Sequence, residues 1–362
     1  MISRVADHCF WVGRYLDRAE STARLLQVTR ALAFDGDLSA LQCWRPLVTV
    51  SGQYPDFSHR FGADAAGHGE VVQQYMTWAT ENPVSVRNSV RAAREGARSI
   101  REVLSGDIWQ ATNELFLWFV GEEAGTQYKQ DRDGLYRNVR KATQLCLGLV
   151  RSTMLHDSAM DFLWLGVLLE RLGQTARILD MHHHMMGGTP AGLEHKDEHQ
   201  IVQTALWLSL LRACSGFDAF MRQHQGRVSR AAVVSFLIFE NRFPRSLRYC
   251  LRSALAMAQR IWPNQTGTLR GFSGPPAKDS ARAEPELRPR AEARVDGGAV
   301  EHLQALDHWL DAQQVVLPQT SIHELLTHIV DVTSQTCHAV QQGMSGQPLA
   351  PAPVEKTQSQ SQ

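Results

Sequence analysis

Two stretches lying 153 residues apart carry the same acids and bases in the same order. Asp17, Arg18, Thr22 and Arg24 in the first return as Glu170, Arg171, Thr175 and Arg177 in the second. Seven residues advance an α-helix to within about 20° of two full turns. Asp17 and Arg24 therefore share a helix face, as do Glu170 and Arg177, with Ser21 and Gln174 between them. Val12, Leu16, Ala19, Ala23 and Leu26 form an apolar stripe beside that face. Charges bordering a core stripe admit three chemistries. The carboxylates can orient arginines whose planar forks match phosphate or carboxylate, building a pocket for an anion. Asp17 and Glu170 can act as acid and base in a reaction of the protein's own, with arginines holding the substrate. Or the charges only pair with one another and fix helix register. The residues by themselves leave these alternatives open.

A second basic pattern lies between the two stretches. Arg87, Arg91, Arg94, Arg98 and Arg101 are spaced 4, 3, 4 and 3. Val86, Val90, Ala93, Ala97, Ile100 and Leu104 run parallel to them as an apolar stripe. Glu95 and Glu102 stand three or four residues from Arg91 and Arg98, a spacing that predicts pairing. The stripe reads either as a solvated, salt-bridged face or as a surface for phosphate or an acidic partner. Arg87 and Arg91 have counterparts in Arg248 and Arg252, and Arg245 is expected beside a helix N-terminus, which favours an anion. The candidate polar or anion-binding set is thus Asp17, Arg18, Arg24, Arg91, Glu170, Arg171, Arg177 and Arg245.

No familiar catalytic signature accompanies these residues. His-Glu-x-x-His, the Walker loop, Gly-x-Ser-x-Gly and the dinucleotide glycine fingerprint are all missing. Glu170 with His156 or His182 could form an acid/base pair, but no motif supplies a nucleophile, and no catalytic residue is assigned. Three consecutive histidines, His182 to His184, point to different helix faces, so neither a preformed metal site nor a cofactor is expected. A net charge of zero argues against wrapping nucleic acid. Six scattered cysteines without a Cys-x-x-Cys pair suggest thiols in a reducing cytoplasm. The opening Met1–His8 has no signal-peptide run, and Ala231–Phe239 is too short to span a membrane.

The elements that must position these groups are helical, since apolar residues recur at three and four almost throughout. Helices are expected over 2–30, 39–51, 67–79, 83–104, 107–122, 134–154, 158–186, 197–222, 229–240, 244–260, 299–311 and 319–342. Pro83 and Pro244 are read as first helical residues, the former capped by Asn82. The repeat reaches beyond the charged helices. Trp44, Leu47 and Val48 match Trp207, Leu210 and Leu211, and Pro83–Arg91 matches Pro244–Arg252. These echoes predict an all-α, duplicated helical bundle. Its two pseudo-equivalent halves, 1–155 and 158–343, would hold about six helices each and bury against one another in one domain, 1–343. Paired tryptophans, Trp11 with Trp164 and Trp44 with Trp207, are expected to anchor the core. The Pro-, Gly- and Ala-rich segment 264–298 and the tail 344–362 are expected to be disordered.

Taken together, the motifs resemble those of the alpha-E family, a bacterial all-helical domain. The likeness rests on Arg4-Val-Ala-Asp7, Trp11, Gly13 through Glu20 and Ala23-Arg24. Arg91 to Arg101, Trp109 and Asn113 extend it, followed by Phe162, Leu165-Gly166, Leu169-Glu170-Arg171 and Phe243-Pro-Arg-Ser246. It covers residues 1–343 apart from 264–298. Three positions depart from the family pattern. Asp17 stands where Glu is usual, Gly96 replaces an Asn, and Leu172-Gly173 replaces Ala-Asp or Ala-Glu, removing a carboxylate. Proteins of this family occur beside, or fused to, circularly permuted ATP-grasp proteins and transglutaminase-like peptidases. The resemblance implies a non-catalytic binding or scaffold partner of an ATP-grasp amide ligase, presenting an acceptor peptide or anionic intermediate. The alternative is an enzyme acting on an amide-linked or anionic substrate through Glu170, Asp17 and the arginines.

Overall fold

A computed structural model describes residues 3–35, 38–186, 196–263, 298–316 and 321–345. Among them every regular element is helical. The order is α1 (Ser3–Asp35), α2 (Ala40–Val50), α3 (Tyr54–Phe61), a 3₁₀ turn at Ala63–Gly67, α4 (Gly69–Trp78), α5 (Val86–Ser99), α6 (Gly106–Val120), α7 (Glu122–Gln130) and α8 (Arg132–Thr153). There follow α9 (Ser158–Met186), α10 (Lys196–Ala213), α11 (Phe217–His224), α12 (Arg230–Phe239), α13 (Leu247–Ile261), α14 (Ala299–Val316) and α15 (Ile322–Ser345). No described helix is long and apolar enough to cross a membrane.

Eight described α-helices therefore precede residue 155 and seven follow 158, rather than about six on each side. Sequence reading overlooked α3 and α7 because both are short, with a single buried residue in the first and two in the second. The expected helix 197–222 is broken after Ala213, where Ser215 takes a left-handed φ of 54°. Neither proline opens its helix. Ser85 and Ser246 cap α5 and α13 instead, accepting from Asn88 N at 3.2 Å and Tyr249 N at 3.1 Å. Each capping hydroxyl also donates to a carbonyl six residues back, Ala79 or Glu240. Helix α15 continues to Ser345 and buries Met344, two residues into the stretch read as tail. The remainder of that tail, 346–362, and residues 264–297 lie outside the described residues.

Helices α1 and α9 form the centre and pack along each other. Around α1 lie α5, α8 and α10; around α9 lie α13, α15 and α2. A helix enclosed on all sides must be apolar well beyond one stripe, and Phe10, Val12, Leu16, Ala19 and Leu26 are all fully buried. Trp44 and Trp207 are core residues, while Trp11 and Trp164 are half-buried under arginines.

Two glycines set the approach of the central pair. A Cβ on Gly13 would lie 2.0 Å from the Leu163 carbonyl oxygen, and one on Gly166 would lie 2.1 Å from that of Phe10. Backbone meets backbone at both points, so any side chain there would force the helices apart. One turn beyond each glycine, on the same face, stands an acid: Asp17 after Gly13 and Glu170 after Gly166. The close crossing thus brings each acid within reach of the opposite helix.

Candidate functional site

Glu170 is gripped from α1. Arg18 donates through Nε to Oε1 at 2.7 Å and through its terminal nitrogen to Oε2 at 2.8 Å. Arg14 Nε reaches Oε2 at 2.9 Å, and Gln174 adds a bond from Glu170's own helix at 3.1 Å. The reciprocal contact runs the other way: Arg171 Nε on α9 donates to Asp17 Oδ1 on α1 at 2.7 Å. Both carboxylates are buried. Burial by itself would raise Glu170's carboxyl; Arg18 and Arg14 outweigh it and hold the group well below the usual range. With four donors on its two oxygens, Glu170 is an ionised acceptor with no proton to give.

A third acid completes the network on the α1 side. Glu20, fully buried, pairs with Arg24 one turn on, accepts from Arg245 at 2.8 Å and from Gln144 at 3.1 Å, and has Arg140 4.0 Å away. Arg245 also stands 3.8 Å from Asp17. It occupies the approach to α13, two residues before the helix opens, with its own carbonyl held by Thr175 Oγ1 at 2.9 Å.

The equivalent of Glu20 on α9 is Gly173. A Cβ there would lie 2.9 Å from a terminal nitrogen of Arg177, so Arg177 sits beside the position where a carboxylate would meet it. Among the described residues Arg177 has no hydrogen bond or ion pair. It borders a cavity of about 80 Å³ with Arg14, Arg18, Thr22, Glu170 and Gln174, lined also by Val50 and Ser51 at the end of α2. A water occupies ≈ 30 Å³ in the liquid, so this space suits a small anionic group. A wider cleft of about 540 Å³ lies beside Arg24, Arg140, Gln144 and Arg212.

Across both sides of the crossing, seven guanidiniums (Arg14, Arg18, Arg24, Arg140, Arg171, Arg177 and Arg245) face three carboxylates (Asp17, Glu20 and Glu170). The surplus acts on the arginines themselves. Burial, reinforced by Arg245 and Arg140, pushes Arg24 down to about 9; burial with neighbouring arginines lowers Arg140, and burial lowers Arg177, with Arg18 and Arg14 adding to it and Glu170 opposing. A bound anion would relieve this repulsion, and arginine forks are the groups best shaped to hold a phosphate or carboxylate.

Asp17, Arg18, Glu170, Arg171 and Arg245 are brought together as expected, and Arg24 joins them through Glu20. Asp17 and Glu170 bond across the crossing, to Arg171 and Arg18. Arg91 belongs elsewhere: it is exposed on α5 and has no ion pair among the described residues. In its stripe Glu95 pairs with Arg94 at 2.5 Å and Arg98 at 3.0 Å, leaving Arg91 aside, and Arg101 lies over Trp109 beyond the end of α5. Their counterparts Arg248 and Arg252 are paired with Asp311 and Asp307 of α14. Sequence reasoning passed over Arg14, Glu20 and Arg140. The four-residue spacing of Glu20 and Arg24 was the available signal.

Comparison with known proteins places these motifs in context. A family model named Alpha-E, described as a predicted alpha-helical domain with a conserved ER motif, matches residues 1–342. Glu170-Arg171 is the Glu-Arg dipeptide of this chain. Similar curated proteins include one uncharacterised protein of Mycobacterium bovis and one of Mycobacterium tuberculosis, each 26% identical over 96% of this chain. A further M. tuberculosis relative is 25% identical over the same share. The chain spans 38% of the length of each of these relatives. No solved structure matches.

Proposed function

The chain belongs to the Alpha-E family, and from that membership we propose a non-catalytic binding module that partners a circularly permuted ATP-grasp amide-ligase system. Its role is to hold an anionic group, a carboxylate or phosphate of the acceptor or intermediate, in the arginine-lined cavity between α1 and α9. One observation carries the reading: Arg177 has no carboxylate of its own and shares its cavity with Arg14 and Arg18. Transglutaminase-like proteins are the second class of partner. Glu170 favours binding over acid/base chemistry, because its oxygens are already occupied by arginines.

We further propose that the chain is a duplication whose halves meet at the α1–α9 crossing. The reciprocal glycine contacts, the exchanged pairs Arg18–Glu170 and Arg171–Asp17, and the matched serine caps support it. A cytoplasmic setting accords with six free, buried cysteines.

The test is titration of inorganic phosphate, and of a peptide with a free C-terminal carboxylate, into the wild type and Arg177→Gln, alongside co-purification with an ATP-grasp protein. Losing a charged hydrogen bond is worth ~1.5–3 kcal/mol, about 10–100-fold in affinity. The variant should fold normally and lose that factor. Equal anion binding by both proteins, or none by either, overturns the cavity assignment, and failure to co-purify overturns the partner.

A further inference from the structure

The other end of α9 carries a second constellation, independent of the arginine cavity. Asp180 and His184 stand one turn apart on α9, and His323 arrives from the first turn of α15. His323 Nδ1 lies 2.7 Å from Asp180 Oδ1, and His184 Nε2 lies 3.3 Å from Asp180 Oδ2. The three potential ligand atoms all fall within 4.8 Å of one another. The histidine run does diverge: His182 stacks on Trp207 at 3.9 Å, His183 lies flat against His323 at 4.4 Å, and His184 turns to Asp180. The run alone is no chelate. What converges is one of its members, an acid four residues earlier, and a histidine from a distant helix.

We propose that Asp180, His184 and His323 bind a divalent transition-metal ion of the zinc class. Two imidazoles and one carboxylate suit borderline-soft metals and not magnesium or calcium, which demand oxygen ligands. Three protein ligands with an open fourth position are the layout of a reactive or ligand-accepting zinc site. Tetrahedral bonds of ~2.0–2.1 Å put neighbouring ligand atoms about 3.3 Å apart. Small side-chain rotations reach that spacing from the observed contacts, and all three residues keep solvent exposure that leaves them room to adjust.

The cluster borders a cleft of about 410 Å³, lined by Asp180 and His323 together with Gln203, Trp207, Arg230 and Ser321. An ion held by the three side chains would have its remaining position beside this cleft. Arg230 there favours a ligand with an anionic group, such as a carboxylate or hydroxamate.

The test uses the full chain stripped with a chelator and titrated with Zn²⁺ alone by calorimetry, then with Co²⁺ followed by visible absorption. One equivalent should bind, the Co²⁺ spectrum should be tetrahedral, excess Mg²⁺ should not compete, and Zn²⁺ should raise the thermal midpoint. Asp180→Asn and His323→Ala should each weaken Zn²⁺ binding at least ~10-fold, with circular dichroism confirming that they fold. His183→Gln, which breaks the run but spares the cluster, should retain stoichiometric binding. Binding unaffected in both ligand variants, or abolished by His183→Gln alone, would mean adventitious chelation by the run and overturn the proposal. So would the absence of stoichiometric binding to the wild type.

Discussion

Arg171 meets Asp17 across the crossing of α1 and α9 with Nε 2.7 Å from Oδ1, the same separation at which Arg18 meets Glu170 in the opposite direction. Each helix thus supplies both an acid and its partner's base. Sliding one helix along the other would break both pairs at once and leave buried charges uncompensated. The exchange acts as a register lock over the glycine contacts one turn away. It also anchors Arg18 at the wall of the cavity that holds Arg177.

Glu170→Gln keeps the shape of the side chain and strands Arg14 and Arg18. Breaking a buried pair by removing one partner costs about 3–5 kcal/mol. The urea midpoint should fall accordingly with an unchanged slope, and Asp17→Asn should act in the same direction through Arg171 and Arg245. A midpoint unmoved by either change would contradict the lock.

Gly13→Ala and Gly166→Ala should destabilise comparably, since each added Cβ would meet a carbonyl oxygen of the opposite helix near 2 Å. Overpacking of this kind typically costs ~1–3 kcal/mol and more where backbone must move. Gly148→Ala on the exposed side of α8 is the contrast, with nothing near its Cβ. It should stabilise by up to about 1 kcal/mol through helix propensity. Thermal unfolding of the three variants side by side decides the matter; equal effects at all three positions would refute the close crossing.

Gly173→Asp should place a carboxylate beside Arg177, as Glu20 stands beside Arg24. The flexible end of Arg177 is the only nearby group that has to yield. We expect normal folding with phosphate binding reduced about as far as in Arg177→Gln, because the unpaired charge is what the anion would use. Undiminished phosphate affinity in this variant would count against that account.

His182 predicts a pH dependence. Burial, with Arg230 adding to it, holds its imidazole down to about 4 from an ordinary 6.5. The unfolded chain then binds more protons than the folded one between those values, so stability rises with pH across that window and is lost as pH falls through it. Replacing His182 by Phe keeps a ring against Trp207 and removes the titration. The thermal midpoint of His182→Phe should therefore drop less than that of the wild type between pH 7 and pH 5.

Helical periodicity, the repeated face of Asp17 and Glu170, and the family motifs were all legible along the chain, because each depends on residues within a turn or two of one another. Serine caps were within reach too, but the adjacent prolines drew the helix starts three residues early. Short helices such as α7 escaped because they bury too little to leave a period. What bonds to what was not legible. Asp17 pairs with Arg171 and Glu170 with Arg18, contacts between residues more than 150 positions apart, and His323 reaches Asp180 from another helix. Spacing along a helix states which face a charge occupies; only the packing of helices states what stands opposite. The glycine at 173 was visible as a letter, yet its consequence depends on Arg177 lying among other arginines. Charge strength and partner choice are set by distance and burial in space, and those were decided by the tertiary fold.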